Sequence, residues 1–264
     1  MKIIVFADIH YFAGTREQYK STTKLVHHGL PVFKALIKKI NEEHKPDFCV
    51  NLGDSIQDLN DKQKDLAALN EVSRLTDKIE CPCYTIFGNH DLKMMDTVSE
   101  VEALFGGKKT TFSFDKDGYH FVFLTTEIRS ELGLERGGGY KAWYLSQSDM
   151  EWLREDLAKN ELPYMIFAHY PLAEDGTVDD CFLMKNRDEI KQMLKGDKNL
   201  LAVMAGHQHS NITYLEDNIL HINLGSTITC RLENGIPEGT YAEIILENGN
   251  MTVYYRQVKA EEEI

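Results

Sequence analysis

The sequence predicts an α/β fold with parallel strand pairing, and three observations point to it. Short, nearly continuous apolar runs alternate with segments of helical periodicity through the first half of the chain. The apolar runs lack strict alternation, as expected of strands that are buried on both faces. No internal repeat and no long linker interrupts the 264 residues. We therefore expect one domain over residues 1–264.

The first half supplies three strand signals with a helix between each pair. Lys2–Ala7 predicts a buried strand, and Pro31–Glu43 predicts a helix because its apolar residues form one stripe and Pro31 suits the first turn. Asp47–Leu52 predicts a second strand. Leucine and valine spaced three residues apart predict a helix over Leu66–Leu75, and Tyr84–Phe87 predicts a third strand.

The second half begins with a hairpin and ends in strands. Ser146, with Asp149 three residues later, predicts the start of a helix. Residues 212–258 predict several short strands separated by turns, without a helix, so this C-terminal portion is β-rich. The remaining strand signals are a hairpin of Thr111–Phe114 and His120–Thr125 around Lys116-Asp117-Gly118, then Tyr164–Ala168 and Leu200–Ala205.

Composition restricts partners and location. The net charge of −13 disfavours a nucleic-acid partner, since binding to nucleic acid relies on Lys and Arg at phosphates. No apolar stretch approaches the length of a membrane span, and the first strand reaches Asp8 too soon to be a signal peptide. Five cysteines without framework spacing indicate reduced thiols and a cytoplasmic location. No pattern indicates the oligomeric state.

Five short polar motifs each follow a strand signal. Ligands of open α/β sheets bind at the carboxyl ends of the strands, so we expect the motifs to converge on one crevice. Alternate residues of an extended segment share a face, which would place Asp8 beside His10 and His207 beside His209. The motifs are Asp8-Ile9-His10, Gly53-Asp54, Gly88-Asn89-His90-Asp91, His169 and Gly206-His207-Gln208-His209.

These motifs offer three Asp or Asn oxygens and four imidazoles as ligands. That set is too large for one tetrahedral zinc ion but suits two divalent ions with a shared carboxylate. Mixed oxygen and imidazole ligands favour manganese or iron, and zinc is also compatible with them. Any one motif alone is as compatible with a surface turn as with a ligand pair. Five in order, each at a strand end, favour a binuclear metal centre.

With these motifs the chain resembles the calcineurin-like metallophosphoesterase family, whose pattern is Asp-x-His, Gly-Asp, Gly-Asn-His-Asp or Glu, a lone His, and Gly-His-x-His. All five blocks match in order, over residues 3–226. The resemblance implies a four-layer α/β/β/α sandwich of two mixed β-sheets flanked by helices. It also implies hydrolysis of a phosphoester by in-line attack of a hydroxide that bridges two metals.

The resemblance assigns roles to matching residues. Asp54 would bridge the metals, His90 would face the substrate and donate a proton to the leaving oxygen, and Asp91 would orient His90. Two ions would lower the pKa of a water molecule and stabilise the charge of an in-line displacement. The remaining ligands would be Asp8, His10 and His209 for one metal and Asn89, His169 and His207 for the other.

Substrate and reaction type stay open at this stage. We expect a phosphodiesterase or phosphatase acting on a small molecule such as a nucleotide or a glycerophosphodiester. The alternatives are a DNA nuclease, which the acidic charge disfavours, and a noncatalytic scaffold, which the complete ligand set disfavours. Loops at 129–141, with Arg129 and Arg136, and at 171–182 are candidates for substrate selection.

Some polar and aromatic residues have two interpretations. Asp58 is either a partner of a ligand or a solvated acid, and Cys81-Pro-Cys83 is better explained as part of a strand entrance than as a metal site. Aromatic residues beside the motifs either line the pocket or only pack. The five other histidines are better explained as surface or core residues. These aromatic and histidine residues are Tyr11, Phe12, Tyr170, His27, His28, His44, His120 and His221.

Overall fold

A computed structural model describes residues 1–128, 143–173, 183–232 and 234–260 of the chain. One sheet has five strands from both ends of the chain, in the order β13-β12-β1-β2-β3. The N-terminal three run parallel, β12 runs antiparallel to β1, and β13 is antiparallel to β12. The strands are β1 (Lys2–Phe6), β2 (Phe48–Asn51), β3 (Cys83–Thr85), β12 (Thr240–Glu247) and β13 (Asn250–Gln257).

A second sheet has six strands in the order β10-β11-β9-β8-β5-β4. The four inner strands are parallel, and both edge strands are antiparallel to their neighbours. A short ribbon of β6 (Glu127–Ile128) and β7 (Trp143–Tyr144) stands apart. The strands of the second sheet are β4 (Phe112–Lys116), β5 (Tyr119–Leu124), β8 (Tyr164–Ala168), β9 (Leu200–Ala205), β10 (Ile212–Glu216) and β11 (Ile219–Asn223).

Helices complete the layers. Five of them are α1 (Gly29–Lys39), α2 (Lys62–Thr76), α4 (Val98–Glu102), α5 (Gln147–Lys159) and α6 (Arg187–Leu194). The sixth helix of the described residues, α3 (Asn89–Leu92), is a single turn that carries the third motif. Short 3-10 turns at Val26–His28 and Ala103–Phe105 and a π turn at Ile40–His44 adjoin α1 and α4. Among the described helices, none has both the length and the apolarity needed to cross a membrane.

The apolar residues of the buried strands divide between two cores. In β1, Ile3 and Val5 pack with residues of the second sheet, such as Phe121, whereas Ile4 and Phe6 pack with Phe33 of α1. Successive strand residues point to opposite faces, so a continuous apolar run fills both the space between the sheets and the space under the helices. The fold is thus the expected sandwich of two mixed sheets flanked by helices.

Most elements lie where the sequence predicts them. Ser146 caps α5, its Oγ accepting a hydrogen bond from the Asp149 amide at 3.0 Å. The helix predicted over Pro31–Glu43 is α1, which begins two residues earlier and ends in the π turn. The short helices α3 and α4 and the eight-residue α6 were not predicted, because they are too brief to show a helical period.

Candidate metal centre

The motif residues lie at the carboxyl ends of the parallel strands of both sheets. Asp8 and His10 follow β1, Asp54 follows β2, His169 follows β8 and His207 follows β9. The loops are joined by backbone hydrogen bonds, including that from the Asp8 amide to the Gly53 carbonyl at 2.9 Å. Across the sandwich, the His207 amide donates to Asp8 Oδ2 at 3.1 Å. The two sheets therefore meet at one crevice formed by motif residues.

Side chains far apart in sequence form two clusters with the geometry of metal ligands. Within each cluster one potential ligand atom per residue lies within 4.8 Å of the others. Asp54 contacts both, with Oδ2 at 3.7 Å from His10 Nε2 and 3.5 Å from His169 Nε2. Asp54 thus occupies the position that a bridging carboxylate requires. The clusters are Asp8, His10 and His209, and Asp54, His169 and His207. A third group of the same kind, His10, Asp54 and His90, overlaps both.

Imidazole nitrogens approach each other closely in both clusters. His10 Nε2 lies 2.9 Å from His209 Nε2, and His169 Nε2 lies 3.2 Å from His207 Nδ1. The other ring nitrogen of His169, Nδ1, donates a hydrogen bond to the Leu52 carbonyl oxygen at 2.8 Å. A backbone acceptor at Nδ1 orients the ring and leaves Nε2 as the nitrogen for a metal.

Several buried oxygens have no hydrogen-bond partner. Among the described residues, none forms a well-aligned hydrogen bond to Asp8 Oδ1 or Asn89 Oδ1, although both atoms are buried and His209 Nε2 lies 3.3 Å from Asp8 Oδ1. A buried acceptor without a partner is costly, about 1–3 kcal/mol or more for a charged group. A divalent cation beside each oxygen would satisfy it, and the donor set of carboxylates, an amide and imidazoles suits such ions. These residues therefore fit a metal centre.

The motif backbone adopts a conformation that non-glycine residues rarely use. Five of the motif residues have φ between 45° and 67°. The left-handed region costs such residues on the order of 1 kcal/mol each, and it clusters at functional sites. The turns after β1, β2 and β9 therefore use strained residues to aim side chains into the crevice. These residues are Asp8, His10, Asp54, His207 and His209.

Glycine before Asn89 allows close approach at the centre. A Cβ on Gly88 would lie 2.6 Å from His169 Nε2 and closer still to Asp54 Oδ1. Real Cβ atoms do not tolerate such distances, so only glycine lets this turn pass beside the shared carboxylate. Gly88 therefore provides the space that the close approach of this turn needs.

Electrostatics in the crevice favours bound positive charge. Burial disfavours ionisation of Asp54, but the neighbouring His169 and His90 hold the pKa of its carboxyl well below the usual value. Burial opposes the charge of His169 as well, yet Asp54 raises the pKa of His169 to about 9. Burial, and then Lys24, lowers the pKa of His10. Anionic oxygens beside imidazoles are what a divalent metal requires.

His90 lies in the third group, with His10 and Asp54, and its other ring nitrogen contacts Asp58. Its Nδ1 lies 2.5 Å from Asp58 Oδ1, and Lys93 Nζ donates to Asp58 Oδ2 at 2.9 Å. Its Nε2 lies 4.0 Å from Asp54 Oδ2, and the His90 amide donates to Asp54 Oδ1 at 2.9 Å. With Nδ1 engaged by Asp58, Nε2 is the ring nitrogen that remains for substrate.

The acid beside His90 differs from the one expected. The Asp91 carboxylate accepts from the amides of Gly88 at 3.0 Å and Ile56 at 3.2 Å, so it secures the backbone rather than the imidazole. The reason is the helical turn at Asn89–Leu92, which directs consecutive side chains away from each other. Burial, together with Asp54, raises the pKa of Asp91 to about 7. The orienting contact belongs to Asp58, which sequence reasoning left undecided.

Residues near the motifs resolve several open interpretations. Tyr170 is fully buried, with its ring 4.3 Å from that of His207, so it packs against this imidazole rather than lining an opening. His120 is a core residue held between Asp115 at 2.6 Å and Asp156 at 2.9 Å. Lys24, which no sequence pattern singled out, lies at the crevice. The loop 129–141 and residues 174–182 of the second loop lie outside the described residues.

Comparison with known proteins identifies the class of this fold and site. The family model for calcineurin-like phosphoesterases matches residues 1–211. The chain therefore belongs to the calcineurin-like phosphoesterase family, a class of metal-binding enzymes that hydrolyse phosphoesters.

Particular relatives carry more specific names. A probable cyclic nucleotide phosphodiesterase of Fibrobacter succinogenes is 28% identical over 53% of this chain and 51% of its own. The match therefore spans about half of that relative. A manganese-dependent ADP-ribose/CDP-alcohol diphosphatase of rice is 23% identical over 90% of this chain and 85% of its own. A dimetal phosphatase from Danio rerio has the same fold, with a TM-score of 0.76 and 15% identity over 98% of this chain and 99% of its own.

Proposed function

We propose that this phosphoesterase holds two divalent metal ions, preferably manganese, and hydrolyses a phosphodiester or diphosphate bond in a small nucleotide-type molecule. The observation that carries the proposal is the pair of ligand clusters joined by Asp54, whose Oδ2 lies 3.7 Å from His10 in one and 3.5 Å from His169 in the other. Manganese is supported by the oxygen and imidazole ligands and by the name of the rice relative. Iron and zinc remain compatible with the same ligands.

The proposed ligands divide as the clusters do. Asp8, His10 and His209 would hold one ion, and His169 and His207 would hold the other together with Asn89, whose buried oxygen has no partner among the described residues. When bound, two divalent ions would lower the pKa of water and neutralise the phosphoryl oxygens.

His90 is the proposed proton donor to the leaving oxygen. Asp58 engages Nδ1, which sets the ring orientation and stabilises the protonated imidazole, and Nε2 is left toward the substrate. A positioned general acid contributes about 10²- to 10⁴-fold in rate. Asp91 has the proposed role of holding the turn that presents both Asn89 and His90.

Charge and thiols support the remaining parts of the proposal. The net charge of −13 favours a small substrate over DNA. Cys49, Cys81, Cys83 and Cys230 are free thiols, which supports a reducing, cytoplasmic compartment. Cys49 and Cys81 Sγ lie 3.5 Å apart without a bond.

A hydrolysis panel tests the function. Metal-free protein is supplied with Mn²⁺, Fe²⁺ or Zn²⁺ and assayed with bis(4-nitrophenyl) phosphate, 4-nitrophenyl phosphate, cyclic AMP, UDP-glucose and glycerophosphocholine. We expect metal-dependent turnover of diesters or diphosphates, with most of it lost in Asp54→Asn. Metal binding without turnover of any ester would instead support a noncatalytic scaffold.

A further inference from the structure

A cavity of about 390 Å³ opens beside the proposed proton donor. His90 lines it together with Lys24, Lys93, Gln57 and Asn60. Its volume falls within the range of sites for small molecules. Asp58 lines the cavity as well, but it is paired with Lys93 at 2.9 Å, and the basic and amide groups that remain suit an anionic group rather than an apolar one.

A second cavity, of about 690 Å³, shares Lys24 and Tyr19 with the first. It is also lined by Arg16 and Lys20. The two cavities therefore adjoin at Lys24, and a molecule extending from His90 into the larger one passes this side chain. Such basic surroundings stand out in a chain with a net charge of −13.

The backbone holds Lys24 in place at this junction. Lys24 forms an antiparallel bridge with Thr229, and the Leu25 amide donates to the Ile228 carbonyl at 3.1 Å. The segment after β11 thus secures a residue that is distant in sequence. Because the contacts are made by the backbone, they do not depend on the lysine side chain.

The Lys24 ammonium is uncommitted, unlike that of Lys93. Lys93 pairs with Asp58 at 2.9 Å, whereas no described acidic residue lies within ion-pair distance of the Lys24 ammonium. Lys24 is nevertheless close to the centre, since it lines the same cavity as His90. Burial lowers the pKa of Lys24 to about 8, and the charges of Asp54, Asp8 and Asp58 oppose that effect. The described residues thus provide a half-buried cation with no direct counter-ion.

Metal binding would increase the need for an anion at this position. Two divalent ions would more than neutralise Asp8 and Asp54, the two carboxylates in the clusters. An ammonium beside such a centre is unfavourable unless an anion lies near it. A substrate with one negative phosphate at the metals would leave Lys24 uncompensated, whereas a second phosphate would supply the missing charge.

We propose that Lys24 binds a second phosphate adjacent to the scissile one, so that the enzyme prefers diphosphate diesters to monophosphate diesters. The inference rests on the proposed metal-dependent hydrolysis and specifies the class of substrate for that reaction. Lys24 would then determine specificity by contact with substrate, while the clustered ligands and His90 carry out the reaction.

Kinetics with two matched substrates test this role. UDP-glucose carries the second phosphate, and uridine 5′-(methyl phosphate) lacks it. We expect Lys24→Gln to lower kcat/KM for UDP-glucose by at least about 10-fold, mainly through KM, and to change that for the monophosphate diester by less than about 3-fold. Lys24→Arg should recover most of the loss. Equal losses on both substrates would overturn the proposal.

Lys108→Gln is the matched control, since Lys108 lines a different cavity that contains none of the proposed ligands. It removes the same charge and should leave both substrates unchanged. An equal effect of the control on UDP-glucose would show that net charge, rather than Lys24, sets the preference.

Equilibrium binding tests Lys24 independently of turnover. The probes are dimethyl methylenediphosphonate, with two charged phosphonates, and methyl methylphosphonate, with one, titrated calorimetrically into Mn²⁺-loaded protein. We expect wild type to bind the first at least about 10-fold more tightly and Lys24→Gln to lose most of that preference. A wild-type preference below about 3-fold would overturn the inference. Absence of turnover on all esters would count against the proposed function alone, because this ratio is still measured.

Discussion

Replacing Asp58 with Asn removes a charge from His90 while keeping the shape of the side chain. Asp58 is buried, its Oδ1 lies 2.5 Å from His90 Nδ1, and its pKa is about 2 because, against burial, His90 and then Lys93 stabilise the carboxylate. The carboxylate is therefore ionised at neutral pH. It is positioned to stabilise the imidazolium that donates the proton.

The expected loss follows from this contact. A hydrogen bond to a charged group contributes about 1.5–3 kcal/mol, which corresponds to about 10- to 150-fold in kcat/KM. If His90 donates a proton to the leaving oxygen, the loss depends on how much the leaving group needs that proton. Asp58→Asn should therefore slow a poor leaving group more than a good one.

Two esters that differ only in the leaving group provide the assay. They are the 4-nitrophenyl and phenyl esters of thymidine 5′-phosphate, assayed with Mn²⁺ and with metal content measured in parallel. We expect Asp58→Asn to keep its metal and to lose at least about 10-fold more on the phenyl ester. Asp91→Asn is the control, because the Asp91 carboxylate binds backbone amides and should affect stability without changing the leaving-group dependence. Equal losses of Asp58→Asn on both esters would refute the positioning role.

Three further perturbations act on the ligand crevice and on a core histidine. Chelation of the metal should lower the free energy of unfolding, because Asp8 Oδ1 and Asn89 Oδ1 lose their proposed partners. Adding Mn²⁺ at 100 times its Kd should restore about 2.7 kcal/mol, measured by urea titration. An unchanged free energy of unfolding would contradict a metal centre. Gly88→Ala should reduce bound metal and turnover at least about 10-fold, since its Cβ would overlap Asp54 and the His169 ring. This overlap should lower the free energy of unfolding by about 1–3 kcal/mol. Retention of full metal content by elemental analysis would show that the turn can shift. Burial, and then Lys191, lowers the pKa of His221 to about 4, below its unfolded value of about 6.5. The unfolded state therefore binds the proton first, and the free energy of unfolding falls as the pH drops from about 6.5 to 4. In metal-free protein His221→Gln should remove about 2–3 kcal/mol of the stability difference between pH 7 and pH 4.5, and an unchanged difference would assign the acid sensitivity to other groups.

Local sequence patterns were sufficient for most elements and for the residues of the crevice. The ends of a buried strand such as Tyr164–Ala168 coincide with the ends of its apolar run. Ser146 marks the start of a helix because it caps the amide of Asp149, three residues later. Both depend on backbone periodicity and short-range hydrogen bonds, which neighbouring residues determine. The sandwich of two mixed sheets was predicted only through the resemblance of five motifs, because the pairing of β12 with β1 joins the two ends of the chain.

Tertiary structure alone decided which side chains meet. The acid at His90 is Asp58 rather than the adjacent Asp91, because a helical turn separates neighbours while the loop after β2 folds back onto the ring. Lys24 is held beside the crevice by backbone pairing with Thr229. The two residues are far apart in sequence, so no local periodicity predicts their contact. The sequence by itself determined which polar side chains stand at the strand ends, because each motif directly follows its own strand. Their partners, distances and charges were decided by the packing of the two sheets and the paths of the loops, since contacts between distant residues depend on the whole fold.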